Sequence, residues 1–342
     1  MAKPPIPGAA EMRALAIEVP AHFRQGFRLA QELHAAVPRR RRRIMVVGMG
    51  GSAIAADLVR SVTDPELDVS LDVGRGPSLP RATDKETLVV CASFSGNTWE
   101  TLAAYDEAGR RGASRVTIGS GGELARRADR DGVPHLQLPP LPQPRAAVGY
   151  MLGGLFGVLD PFFSESTEGR VKRAADRVAA LQPRFGSPTG APAIVARKIG
   201  TRTPEIYADV SLAGLARRWK TQIEENAKRL AHFDLFPELL HNAIVGWDAL
   251  TPRTARAWSA VLLDWPMQSP AIAPAVAYLE KLLRARKVPV VRLRFDAEDR
   301  IEAILTGVSF GDHVSLALAD AARVDPMPVE AIARMKRSLG RT

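Results

Sequence analysis

Short apolar runs alternate with segments of helical period along the first half of the chain. Ile44–Val47 is an apolar run closed by Gly48, and a helix is expected from Ala53 to about Val62. Further strands are predicted at Asp68–Val73, Thr87–Ala92, Arg115–Gly119 and His135–Leu138, with helices near Thr98–Arg111 and Glu123–Asp131 between them. Strands separated by helices of this length imply parallel β-α-β crossovers and an open, doubly wound sheet. The Pro-rich segment Pro139–Pro144 breaks the rhythm, and the apolar helical pattern after Arg145 reads as a crossing into the second half. A polar helix is expected over 166–182, followed by a surface connection at Gln182–Pro192.

The second half repeats the alternation more loosely. Glu205–Ala208, Ala243–Trp247, Ser259–Asp264 and Val288–Phe295 are its predicted strands. Helices are expected near Leu212–His232, Ala271–Arg286, His313–Arg323 and Val329–Leu339. No repeat aligns between the halves. The 342 residues suit two domains at roughly 100–200 residues each: 1–160, with an N-terminal helical arm, and 161–342.

Composition narrows the function. Apolar residues are 46% and charged residues 25% of the chain, as in ordinary globular proteins. The longest apolar stretch, Ala146–Leu159, is interrupted by four glycines and falls short of the roughly 20 residues of a membrane span. No membrane association and no secretory leader are expected. Cys91 is the only cysteine, which excludes an intrachain disulfide and a cysteine zinc site and makes a cytoplasmic location the expectation. The net charge of +10 raises the question of nucleic acid. Basic residues are spread along the chain, however, and the one true run, Arg39–Arg43, leads directly into a strand. Aromatics at 6% are few for a stacking platform. No nucleic-acid function is expected, and the surplus charge reads as an attraction for small anions.

Two strand–turn–helix motifs carry the chemistry. In VVGMGGSAIAADLVR (46–60) a strand ends at Gly48 and a glycine turn leads into a helix near Ser52. The free N–H groups of a helix's first turn, approached through glycine, make a phosphate or pyrophosphate cradle. Gly48, Gly50 and Ala53 also fit the degenerate G-x-G-x-x-A fingerprint, so this motif alone does not separate nicotinamide enzymes from sugar-phosphate enzymes. The second motif, LVVCASFSGNTWETL (88–102), does. Ser93, Ser95 and Thr98 exceed the single hydroxyl that a helix cap requires, and they suit the oxygens of a terminal phosphate monoester. In a parallel sheet both turns lie at carboxyl ends of strands, where ligands bind.

GMGGSAIA followed about 40 residues later by SFSGNTWET resembles a sugar isomerase (SIS) domain, the phosphosugar-binding α/β module. The resemblance implies that Ser52, Ser93, Ser95 and Thr98 hold the phosphate, with the amide of Gly51. It also implies two three-layer αβα domains with mainly parallel sheets.

Further along, WKTQIEENAKRLA (219–231) and FPELLHNAIVGW (236–247) are similar to the bifunctional phosphoglucose/phosphomannose isomerases. PRAAVGY (144–150) and the tail FGDHVSLALADAARVDPMPVEAIARMKRSL (310–339) match the same family. By this resemblance Glu225 is the base, Glu224 a weaker candidate, and His241, at the entrance of a strand, the acid that opens the sugar ring. Lys336 assists at the ring oxygen or the phosphate, and Arg145 stabilises the enediolate oxygen. The histidine of the family commonly reaches a neighbouring subunit's site, so a homodimer with shared active sites is implied.

The chemistry calls for such a set independently. Aldose–ketose isomerisation moves a proton between adjacent carbons, and one carboxylate can shuttle it across a cis-enediol. The developing oxyanion needs a placed cation, and an arginine stays charged while serving. No cofactor and no metal are expected. The implied activity is isomerisation of hexose 6-phosphates, glucose 6-phosphate to fructose 6-phosphate, with mannose 6-phosphate as a possible further substrate. Departures from the family pattern are Leu240 and Ala243 around His241, and Met327 where relatives often carry threonine. These motivate the alternative, a non-catalytic phosphosugar-binding regulatory protein.

Overall fold

The computed structural model describes residues 4–38 and 41–338. Arg39 and Arg40 of the basic run, and the predicted helix end at Leu339, lie outside the described residues. The chain opens with α1 (Ala9–Ile17) and α2 (Val19–Gln31). It then runs β1 (Arg43–Gly48), α3 (Gly50–Thr63), β2 (Ser70–Gly74), β3 (Thr87–Ala92), α4 (Trp99–Arg110), β4 (Ser114–Gly119), α5 (Gly122–Arg130) and β5 (His135–Gln137). All neighbours are parallel, in the order β2-β1-β3-β4-β5. The central strand β3 is buried along its whole length, as expected where helices cover both faces of a parallel sheet.

A turn at Pro144–Ala147 leads into α6 (Val148–Leu159), the apolar stretch that is too short for a membrane span, and every residue of it is buried. Its glycines have a packing role. A β-carbon at Gly153 would lie 2.0 Å from the carbonyl oxygen of Phe23, and one at Gly149 2.5 Å from that of Val19. Glycine at i and i+4 therefore lets α6 lie backbone to backbone against α2.

Next come α7 (Glu168–Phe185) and α8 (Ala191–Ile199), then β6 (Thr203–Asp209), α9 (Ala213–Ala227) and β7 (His232–Phe236). The chain continues through α10 (Ala243–Asp248), α11 (Pro252–Ala255), β8 (Trp258–Asp264), α12 (Ile272–Ala285), β9 (Val290–Arg294), α13 (Arg300–Ala322) and α14 (Glu330–Ser338). This sheet is also parallel, in the order β7-β6-β8-β9. Apart from the missing fifth strand it repeats the winding of the first, so the two halves share a fold that their sequences do not reveal. Among the described residues only α13 is long and apolar enough to cross a membrane, and 89% of its most apolar window is buried inside the protein. The halves meet where α3 crosses α9. A β-carbon at Gly214 would lie 2.7 Å from the backbone of Asp57.

Five expectations change. Ala243–Trp247 is helix α10 and not a strand: the Asn242 side chain accepts from Ala243 N at the helix start, and a short apolar run alone does not distinguish the two. His241 therefore ends a 3-10 turn at Glu238–His241, not a strand entrance. The strand beside β6 is β7, drawn partly from the end of the predicted Leu212–His232 helix. That helix stops at Lys228, whose left-handed φ of 54° ends it. In addition, α8 begins inside the expected surface connection, and α13 begins at Arg300 rather than His313.

One carboxyl in the second sheet carries a stability cost. Burial, and then the nearby Asp234, push Glu205 from 4.5 up to about 7. The folded chain therefore keeps a proton that the unfolded chain releases, and stability falls as pH rises from about 4.5 through 7. Glu205→Gln should raise stability at pH 8 by on the order of 2 kcal/mol and change little at pH 4. Urea denaturation at both pH values checks this, and equal gains at the two would refute it.

Candidate functional site

The first switch point lies between β1 and β3, whose ends pair Gly48 with Ala92. Beyond Gly48 the chain turns at Met49 into α3, whose first-turn N–H groups have no intrahelical partner. Ser52 is buried, and its Oγ does not cap this helix. Instead it accepts from Phe94 N at 3.3 Å, so the turn after β1 touches the turn after β3.

In that second turn Ser93 Oγ donates to Thr98 Oγ1 at 2.9 Å, and Ser95 Oγ accepts from Asn97 N at 3.3 Å. None of these hydroxyls caps α4, so the capping role that would explain them structurally is not taken up. Ser95 is exposed, Thr98 is half-buried and Ser93 is buried. The turn is braced from behind. Gly96, at φ 69°, sits against the β4–α5 turn, where a β-carbon would meet the carbonyl oxygen of Gly121 at 1.8 Å. Asn97 Oδ1 accepts from Glu123 N at 3.0 Å.

Arg145 forms the third corner. A β-carbon at Gly51 would lie 3.6 Å from Pro144 O and 3.7 Å from Arg145 Cα. The Arg145 side chain is only 4% exposed and ties distant segments together. Nε donates to Asn226 Oδ1 at 2.9 Å, Nη1 to Gln143 Oε1 at 2.7 Å, and Nη2 to the carbonyls of Pro326 and Met327 at 2.5 and 2.9 Å. Burial pushes its guanidinium below the usual arginine value, opposed by Glu225.

Glu225 faces this cation. Its Oε2 lies 3.5 Å from Arg145 Nη1, with the side chain 32% exposed. Helix α9 is aimed by one buried face, Arg218, Gln222 and Asn226, spaced at i, i+4 and i+8. Arg218 donates three hydrogen bonds to Asp312 at 2.8–3.2 Å and one to Arg145 O at 3.0 Å. Gln222 also donates to Asp312, at 2.9 Å, and Asn226 Nδ2 donates to Ser315 Oγ at 2.9 Å. Glu225 flanks this fixed face and opens on a cleft of about 700 Å³ between α9 and the start of α14. Glu224 lines the same cleft, with its carboxylate held by Lys220 at 2.7 Å.

Lys228 is the residue that the sequence did not single out for a role. Read as mid-helical, it is in fact the left-handed stop, and its Nζ folds back to Glu225 O at 2.5 Å and Pro326 O at 3.2 Å. Burial, and then the repulsion of Arg145, lower its pKa. Its place in the Glu-Glu-Asn-Ala-Lys run was the available signal.

The structure thus brings Gly51, Ser52, Ser93, Ser95 and Thr98 together at one switch point, with Arg145 and Glu225 beside it. It does not bring His241 there within one chain. That residue is exposed in the turn before α10, and the turn packs against β7 and α10. Lys336 lies on α14, a helix with no buried residue.

Residues 192–339 match the family model described as the bacterial phospho-glucose isomerase C-terminal SIS domain. The bifunctional phosphoglucose/phosphomannose isomerase of Caldicellulosiruptor bescii is 32% identical over 304 residues, covering 87% of this chain and 89% of that protein. The protein of the same name from Aquifex aeolicus is 30% identical over 302 residues, covering 86% and 90%. In fold, the chain superposes on the C-terminal domain of glucosamine-fructose-6-phosphate aminotransferase from Francisella tularensis with a TM-score of 0.71 at 13% identity, covering 91% of this chain and 96% of that one. With two such sheets, two touching turns at one switch point, and these relatives matched along most of their length, the chain belongs to the bifunctional phosphoglucose/phosphomannose isomerase family.

Proposed function

We propose that this chain interconverts glucose 6-phosphate and fructose 6-phosphate through a cis-enediol, and that the same enediol opens a route to mannose 6-phosphate. The observation that carries this reading is the placement of the Glu225 carboxylate 3.5 Å from the buried Arg145 guanidinium, while Arg145 Cα adjoins Gly51 of the first turn. In the reading, the phosphate lies against the Gly51 amide and the hydroxyls of Ser52, Ser93, Ser95 and Thr98. The carbon chain runs past Arg145 towards Glu225. Glu225 takes the proton from C2 of the open-chain aldose and returns it to C1 while the O2 hydroxyl proton passes to O1, and the reverse reaction uses the same path. The charge of Arg145 favours the oxyanion that develops between these steps. The aldose and the ketose are isomers that differ only in where hydrogen sits, so the reading assigns no redox cofactor, and it assigns no metal.

Ring opening needs an acid, which the reading assigns to His241 of a second copy in a homodimer, with Lys336 assisting at the ring oxygen or the phosphate. The two units, 1–160 and 161–342, then divide the work, one gripping the phosphate and the other moving the proton.

Fructose 6-phosphate incubated with the protein in D2O and EDTA should yield glucose 6-phosphate carrying deuterium at C2, followed by proton NMR. Saturable binding with no exchange at C1 or C2 would instead support the regulatory, non-catalytic reading that Leu240 and Ala243 motivate.

A further inference from the structure

The second sheet has its own switch point, between β6 and β8, and a cleft of about 490 Å³ opens beside the turn that follows β6. The proposed active site joins the N-terminal end of α3 to the C-terminal end of α9. This cleft is placed the same way with the halves exchanged, joining the N-terminal end of α9 to the C-terminal half of α3. Its charged lining is Arg60, Arg75, Arg217 and Arg300 against Asp57 and Asp64.

The pairing leaves positive charge over. Asp57 is shared by two arginines, Arg75 and Arg217, the latter with Nε 3.3 Å from Oδ2. Arg60 pairs with Asp64 at 3.1 Å. Arg300 has no carboxylate partner among the described residues. Its guanidinium donates to Met267 O at 3.3 Å, in the turn after β8, and lies 4.8 Å over the Trp265 ring. The backbone cradle of the turn after β6 is already filled, because Asp209 Oδ1 accepts from Ser211 N at 2.9 Å and from the Ser211 hydroxyl. An anion held here would therefore be recognised by guanidiniums, whose planar donor forks match phosphate oxygens.

We infer that this arginine-lined cleft is a second anion site, which takes the phosphate group of a small phosphate monoester. The inference rests on the cleft's own charges and does not depend on isomerase activity at the first site.

Isothermal titration of inorganic phosphate and of fructose 6-phosphate into the full chain tests it, alongside two double variants. The unmodified chain should take up two equivalents per chain. Arg75→Gln/Arg300→Gln should keep only the equivalent at the serine turn, and Ser95→Ala/Thr98→Ala should keep only the one at the arginine cleft. If the serine variant loses nothing while the arginine variant loses one equivalent, this inference stands and the assignment of the first turn fails. A cleft equivalent seen with both probes supports a monoester site, and a cleft that takes inorganic phosphate but not fructose 6-phosphate overturns that assignment. Arginine substitutions that leave the uptake of the unmodified chain unchanged, whether one equivalent or two, overturn the inference. Should the double variant fail to fold by circular dichroism, Arg300→Gln alone decides. It breaks no ion pair and should weaken the second equivalent about tenfold, and unchanged affinity would overturn the proposal.

Discussion

Glu225→Gln is expected to lose about 10²–10⁴-fold in kcat for fructose 6-phosphate, the range of a positioned general base, with KM within a few-fold of the unmodified chain. The amide keeps the volume of the carboxyl and can remain beside Arg145, so binding at the proposed phosphate turns should be unchanged. What disappears is the proton acceptor. Glu224→Gln serves as the internal comparison. Its carboxylate lines the same cleft but is engaged by Lys220 at 2.7 Å, and its loss should change turnover only a few-fold. A coupled assay on both variants decides between them, and near-normal activity of the position-225 variant removes that residue from the mechanism.

The second large effect is expected on stability. Arg218 and Asp312 are buried together, with side-chain exposures of 1% and 5%. Arg218→Met would leave Asp312 with Gln222 as its remaining side-chain donor and no ion-pair partner among the described residues, and breaking a buried pair from one side costs about 3–5 kcal/mol. The carbonyl of Arg145 would lose its partner as well. Because replacing a whole buried pair with apolar residues is often neutral, Arg218→Met/Asp312→Leu should recover most of that loss. Chemical denaturation of the three chains measures both effects. A single variant destabilised by less than about 1 kcal/mol would show that the pair does not hold α9 against α13.

How much was legible in the sequence followed from how local each signal was. The β1–α3 and β3–α4 motifs were visible because strand, turn and helix are contiguous there, and the turn carrying Ser52 does touch the turn carrying Ser93, Ser95 and Thr98. Glu225 was named through its neighbour Asn226, whose amide turns out to hold Arg145. The errors fell where a single backbone torsion or cap decides the outcome. Lys228 ends a helix that composition would continue, and Asn242 starts one where an apolar run suggested a strand. The Arg145–Asn226–Met327 convergence joins residues up to 182 positions apart, and no spacing rule anticipates it. The shared winding of the two sheets was hidden for the same reason: it lies in strand order, not in residue identity.

The crossing at Gly214 and Asp57 leaves no room even for a methyl group. In the proposed reaction this makes the enzyme a caliper with a locked jaw: the span from anchor to proton acceptor is set by two main chains in contact, so a sugar one carbon shorter or longer would present the wrong atom to the carboxylate. Selectivity for chain length would then be built into the frame, and evolution would be left to adjust epimer preference at the rim.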